Sequence, residues 1–257
     1  MDEIRKKKAF ICDMDGVIYH GNHILPGVHE FVNWLQKENK KFLFLTNSSS
    51  KTPRELREKM LRLGLDIGEE HFYTSALATA AFLKTQKKNG SAYVIGDAGI
   101  LNALYNAGYS VNESNPDYVV VSETDNYNFS NLSKAAKLVA NGAKLIGTNP
   151  DLTDPSEKGI IPATGSLIAP IILTTGCQAY FIGKPNPLMM RTALKILSTQ
   201  RENTVIVGDR METDIVAGIE SEITTVLVLS GVTTRENMQK FAYSPNYILN
   251  GVGDIPG

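Results

Sequence analysis

Residues 9–20 read AFICDMDGVIYH: an apolar, strand-like run that ends in two aspartates, Asp13 and Asp15, with Gly16 and a second apolar run directly after them. Asp and Gly are poor strand residues, and neighbouring like charges repel. A chain that puts this pair at the tip of a buried strand needs something to offset the charge. Working outward, short runs rich in Val, Ile, Phe and Tyr recur at 8–13, 42–47, 92–96, 118–123, 144–149, 179–183, 204–209 and 224–231. Several are continuously apolar, as strands covered on both faces are.

Between the runs lie helical patterns. PGVHEFVNWLQKEN spaces Val28, Phe31, Val32 and Leu35 at helical intervals behind Pro26. TPRELREKMLRLG carries Thr52 as N-cap, Pro53 in the first turn, Glu55 behind it and Gly64 as stop. Further helices are predicted at about 75–88, 97–108, 129–142, 186–200 and 214–221. Alternating strands and helices predict an α/β fold with a doubly wound, mostly parallel sheet. VIYHGNHIL reads as a short hairpin, turning at HGN, that would lie as a flap beside the acids. Residues 84–178 carry their own strand–helix alternation and no arginine, whereas all eight arginines lie outside. This predicts a core formed by 1–83 and 179–257 with 84–178 inserted as a smaller α/β domain, a cap over the carboxyl edge of the core sheet.

Composition narrows the function. Of 257 residues, 42% are hydrophobic and 21% charged, which is enough apolar material for a packed core. The formal net charge of −1 gives no electrostatic reason to expect a nucleic acid polymer or an anionic membrane as partner. No apolar stretch approaches the ~20 residues of a membrane span. The first residues lack the apolar core of a secretion signal, and the two cysteines, Cys12 and Cys177, form no CxxC pair, so a cytoplasmic setting is expected. The four histidines lack zinc-ligand spacing. Oligomeric state is not legible.

Polar residues gather at strand ends: Asp13, then Thr46 and Asn47, then Asp209, with Lys184 in GKPNP after a fourth strand. Each alone reads as turn or cap chemistry, and Asp214 alone reads as a first-turn acid. Together they meet one chemical need. In open α/β sheets ligands bind at the carboxyl ends of strands. Three carboxylates, Asp13, Asp15 and Asp209, packed there are unfavourable unless a hard cation such as Mg²⁺ neutralises them. A cation, the Lys184 ammonium, and the hydroxyl, amide and backbone donors of Thr46 and Asn47 make a site for a phosphoryl group, and an Asp carboxylate can act as its nucleophile.

The stretches DMDGV, TNSS, GKP and GDRMETD, in that order, resemble the four motifs of the haloacid dehalogenase superfamily of phosphatases, and the likeness is closer still to its NagD-like branch, with an α/β (type C2) cap between the second and third motifs. The resemblance spans essentially the whole chain through supporting stretches such as LPG, FYTSALATAAFL, GTNPD, PATGSL and VLVLSGV. It implies Asp13 as the nucleophile that becomes an aspartyl phosphate, and Asp15 as general acid and then base. It implies Thr46, Asn47 and Lys184 as phosphate holders, and Asp13, the Asp15 carbonyl and Asp209 as Mg²⁺ ligands. Asp214 is expected behind these, orienting metal waters or Lys184, and the loop of Arg210, Met211, Glu212 and Thr213 is expected near phosphate or substrate. Dehalogenase chemistry is disfavoured because Asp15 supplies the acid a phosphatase needs.

The implied substrate is a small phosphorylated metabolite: a nucleotide 5′-monophosphate or a sugar phosphate, with p-nitrophenyl phosphate as surrogate. In the inserted domain Asn149, Asp151, Thr164 and Ser166 are the candidates for contact with the leaving group, weighed against ordinary turn chemistry. Anionic leaving groups are usually clamped by Arg, so the arginine-free insert favours a neutral, hydroxyl-rich one, although Lys144 or Lys158 would weaken that argument. The alternatives are a phosphoglycolate or glycerol-phosphate type phosphatase of the same fold, a phosphomutase, and a non-enzymatic receiver-like module that only accepts a phosphoryl group.

Overall fold

The computed structural model describes residues 1–156 and 159–256, so Lys158 lies outside the described residues. The chain divides into two compact units. One comprises Met1–Thr46, Leu56–Tyr73 and Lys184–Gly257, the other Asn47–Glu55 and Thr74–Gly183.

The first unit is built on a six-stranded sheet in the order Tyr247–Leu249, Thr224–Val228, Thr204–Gly208, Ala9–Cys12, Lys41–Thr46, Phe72–Thr74. The four pairings from Tyr247–Leu249 through to Lys41–Thr46 are parallel, with Ala9 opposite both Lys41 and Thr204. Chain order runs outward in both directions from the central pair, Ala9–Cys12 and Thr204–Gly208. That reversal is a topological switch point, where the connections diverge and leave a crevice at the carboxyl ends of the two strands. Asp13 and Asp209 are the residues that follow those two strands.

The apolar runs are strands because both sheet faces are buried. All four residues of Ala9–Cys12 and all five of Thr204–Gly208 are inaccessible to solvent. Phe10 meets Phe31 edge-on at 6.1 Å and Trp34 at 5.4 Å, both from the helix Val28–Lys37. Phe42, Phe44, Val205, Val207, Val226 and Val228 complete the same cluster. The expected Thr52 cap is present, since its hydroxyl accepts from the Glu55 amide while the Glu55 carboxylate accepts from the Thr52 amide, a capping box. The expected hairpin is also present, with Tyr19–His20 antiparallel to His23–Ile24.

The second unit has a five-stranded parallel sheet in the order Tyr180–Phe181, Lys144–Gly147, Tyr118–Val121, Ser91–Ile95, Ser110–Val111. Ile95, Val119 and Val121 pack there with Leu138, Ile168 and Ile171 of the helices Phe129–Ala140 and Thr164–Thr175. All eight predicted strands therefore exist, and the doubly wound α/β class holds. Five short strands were not anticipated, Phe72–Thr74, Ser110–Val111, Tyr247–Leu249 and the antiparallel pair Thr153–Ser156 with Gly159–Pro162, and neither were the helices Asp2–Lys6, Thr164–Thr175 and Arg235–Met238. Each of these strands is two to four residues long, too short to show a period. The predicted helix at 214–221 instead begins as a π-turn over Met211–Ile215 and becomes α-helical only at Val216–Glu220.

Because Phe10 is wholly buried in the central strand, Phe10→Ala should cost about 3–5 kcal/mol of stability. A denaturant titration followed by circular dichroism would show this as a lower midpoint; an unchanged midpoint would mean that the aromatic cluster is not a core.

Candidate active site

The Asp13 amide donates to the Val207 carbonyl at 2.8 Å, so the strand ladder continues one residue past Cys12 and holds the Asp13 backbone at the switch point. Lys184 lies against this strand end and is 2% exposed. Its Nζ is 2.8 Å from Asp13 Oδ1 and 2.6 Å from Asp214 Oδ1, and it donates to the Leu45 carbonyl at 3.4 Å. Burial alone would pull the ammonium's pKa down, but the charges of Asp13 and Asp214 outweigh it and hold the pKa above the ordinary lysine range. The lysine is therefore a fixed positive charge.

Asp214 uses both carboxylate oxygens within the protein, Oδ1 on Lys184 and Oδ2 as acceptor for the Arg210 amide at 3.1 Å. Burial, opposed by Lys184, pushes this carboxyl up. Asp209 is different. Its Oδ2 accepts from the Val232 amide at 2.7 Å, but its Oδ1 is buried with no hydrogen-bond partner among the described residues. Burial first, then the charges of Asp13 and Asp214, push the Asp209 carboxyl up from 3.8 to about 8. Two glycines let the chain close around it. A Cβ on Gly16, which sits at φ +76°, would lie 2.5 Å from Asp209 Oδ2, and one on Gly231 would lie 2.0 Å from it.

Asp13, Asp209 and Asp214 each bring an oxygen within 4.8 Å of the others. A buried carboxylate oxygen without a partner costs free energy, and an all-oxygen donor set of this kind suits a hard divalent cation. With both Asp214 oxygens already taken, Asp13 and Asp209 are the members whose oxygens suit the ion, and Asp214 sits behind the lysine.

Asp15 lies beyond the strand end on the turn made by Gly16. Its side chain is half exposed, and its Oδ1 is 3.7 Å from His20 Nδ1 of the hairpin. Thr46 ends its strand with a buried side chain. Along residues 210–213, the Met211 side chain is wholly buried and packs with Ile215 and Leu227. Arg210 is half buried, Glu212 exposed and Thr213 buried.

The remaining candidates belong to the second unit. Asn47 Nδ2 donates to Asp151 Oδ2 at 2.8 Å, and Asn149 Nδ2 donates to the Asn47 carbonyl at 2.9 Å. Thr164 Oγ1 lies 3.2 Å from Thr148 Oγ1, and Ser166 Oγ donates to the Leu152 carbonyl at 2.6 Å; both residues stand in the first turn of the helix Thr164–Thr175. Glu123 was not anticipated. Its carboxylate gathers Ser48, Ser49 and Asn149, and burial followed by the charge of Asp154 pushes it up to about 7. The available signal was its place in YVVVSE, an acid just past a buried strand like Asp13.

A family model described as haloacid dehalogenase-like hydrolase matches residues 10–110, and a second one for HAD hydrolase-like proteins matches 181–255. The dihydroxyacetone phosphatase of Corynebacterium glutamicum (strain R) is 44% identical over 96% of this chain and 90% of its own length. The ribonucleotide monophosphatase NagD of Escherichia coli (strain K12) is 40% identical over 96% of this chain and 98% of its own. The solved structure of NagD superposes with a TM-score of 0.92 over 98% of this chain and 99% of its own. That of a 4-nitrophenylphosphatase from Thermotoga maritima, 31% identical, superposes with a TM-score of 0.95 over 98% and 97%. The chain belongs to the haloacid dehalogenase-like hydrolase family, and within it to the NagD-like phosphatases.

The Asp209 environment has a measurable consequence. Its carboxyl is protonated in the folded state over a range where the unfolded chain has already ionised, so metal-free protein should lose stability as pH rises from about 4 to about 8. A divalent cation binds the ionised form and should flatten or reverse that slope. Thermal unfolding with chelator and with Mg²⁺ reads both, and a slope indifferent to the cation would show that the carboxylates hold no ion.

Proposed function

We propose that the chain is a Mg²⁺-dependent phosphatase that hydrolyses small phosphomonoesters through an aspartyl phosphate on Asp13. The observation that carries this reading is the buried Lys184 ammonium shared by Asp13 and Asp214 beside the unpartnered Asp209 oxygen. A fixed cation next to a carboxylate draws in a phosphate dianion and orients it for attack.

Lys184, with Thr46 and the next residue, Asn47, holds the phosphoryl oxygens. An Asp13 oxygen attacks phosphorus, and the bond to the leaving oxygen breaks. Asp15, half exposed on the Gly16 turn, gives its proton to that oxygen, then takes a proton from the water that attacks the aspartyl phosphate. Mg²⁺, held by Asp13, the Asp15 carbonyl and Asp209, would supply the charge that offsets the gathered carboxylates and the phosphoryl oxygens. Asp214 keeps Lys184 in place. The contribution of residues 210–213 falls to backbone and to the side chains of Arg210, Glu212 and Thr213, since the Met211 side chain is taken up in packing with Ile215 and Leu227.

For the substrate, we assign the choice of leaving group to the inserted domain. Its lack of arginine over 84–178 supports a neutral, hydroxyl-bearing leaving group, a nucleoside or a small sugar. The names of two relatives, a dihydroxyacetone phosphatase and a ribonucleotide monophosphatase, point the same way.

Asp13→Asn should lower turnover of p-nitrophenyl phosphate by more than about a thousandfold, and Asp15→Asn by about 10²–10⁴-fold. Activity retained by Asp13→Asn would remove the mechanism. Free phosphate, as against an isomerised ester, separates hydrolysis from mutase chemistry, and repeated turnover separates it from a receiver. In a substrate panel, nucleotide and sugar monophosphates should exceed phosphoglycolate in kcat/KM; the reverse order would reject the neutral leaving group.

A further inference from the structure

Glu123 stands outside the reaction just described, yet it lies at the centre of a closed ring of hydrogen bonds within the second unit. Its Oε2 accepts from the Ser48 hydroxyl at 3.1 Å and from the Ser49 amide at 3.2 Å. Its Oε1 accepts from Asn149 Nδ2 at 3.0 Å. The same Asn149 amide donates to the Asn47 carbonyl at 2.9 Å, and Ser75 Oγ donates to that carbonyl as well. Asn149 Oδ1 accepts from the Asp151 amide at 3.1 Å, and Asp151 Oδ2 accepts from Asn47 Nδ2 at 2.8 Å. Asn47 is thus held through its carbonyl and its side chain, and both holds lead back to Asn149 and Glu123.

The residue type matters. Each of the three groups facing Glu123 in these bonds is a donor, and an ionised carboxylate is the side chain that only accepts. Behind it, the wholly buried Ser49 hydroxyl accepts from Ser122 Oγ at 2.7 Å and Thr148 Oγ1 at 3.0 Å, which ties the segment 47–49 to the ends of two neighbouring strands. Keeping a carboxylate there is costly, since burial and Asp154 push its pKa up to about 7.

We infer that Glu123 is a positioning residue for phosphate binding: it locks the segment 47–49, through Ser48, Ser49 and Asn149, so that the Asn47 side chain is held in one orientation. The inference rests on the reading of Asn47 as a phosphate holder, and it assigns Glu123 no contact with substrate. Asn149 then has a structural duty that the leaving-group reading did not give it.

Glu123→Gln tests this, because glutamine keeps the shape but sets an amide donor among donors. The inhibition constant of inorganic phosphate and the KM for p-nitrophenyl phosphate should each rise about tenfold, in line with the loss of one charge-assisted hydrogen bond, while kcat falls less than about threefold. In an Asn47→Ala background the same substitution should change the phosphate constant less than about twofold, because the group it positions is gone. Ser48→Ala, which removes one donor from Oε2, should shift the constant in the same direction by a smaller factor and serves where Glu123→Gln folds poorly. An unchanged phosphate constant in Glu123→Gln and Ser48→Ala overturns the inference, as does a tenfold effect that persists in the Asn47→Ala background. Asn47→Ala alone tests the underlying reading: if it leaves phosphate binding intact, Asn47 is no phosphate holder and the role proposed for Glu123 falls with it.

Discussion

The first unit depends on one buried charge. Lys184 carries an ammonium into a place with almost no solvent, where it would be untenable without Asp13 on one side and Asp214 on the other. An uncompensated buried ion costs several kcal/mol, so the three side chains stand or fall together. The arrangement fixes Asp13 Oδ1, leaves the Asp214 oxygens fully occupied, and brings the Asp209 carboxyl into a field of negative charge that one lysine does not neutralise. The Asp209 oxygen that has no hydrogen-bond partner among the described residues lies in that field.

The sheet places these groups together at modest cost. Six strands grow outward from a central pair, so the strand ends at the reversal stay uncovered by crossover connections. Asp13 and Asp209 come from neighbouring strands in register, with Cys12 opposite Val207. Gly16 and Gly231 then let backbone close against the Asp209 carboxylate where any Cβ would collide. Packing, backbone freedom and charge thus act on one oxygen-lined corner.

Much of this was legible in order of sequence. Asp13 and Asp209 could be read because each directly follows a continuous apolar run, and an aspartate at that place contradicts the propensity of the strand before it; Thr46 could be read from the Asn47 beside it. Other residues were harder for stated reasons. The strands at Phe72–Thr74, Ser110–Val111 and Tyr247–Leu249 are too short for a period. Met211 stands inside a motif that suggests ligand contact, yet its side chain packs in the core with Ile215 and Leu227. Glu123 is an acid past a strand end like Asp13, but its partners Ser48, Ser49 and Asn149 lie 75, 74 and 26 residues away.

The alternation of strands and helices, the N-cap at Thr52, the hairpin after Gly16, and the set of side chains available for phosphoryl chemistry can all be read along the chain. These follow from local rules: the side-chain period, the turn residues, and the type of group at a strand end. Which of those groups meet depends on how the strands are ordered in space. That Lys184 reaches Asp13 and Asp214, that Asp209 keeps an oxygen without a partner, and that Glu123 ties Asn149 to the segment 47–49 are outcomes of strand order and register. The residues concerned are tens to nearly two hundred positions apart, and no period or propensity carries information over that distance; buried charge and packing select the arrangement once the chain is folded.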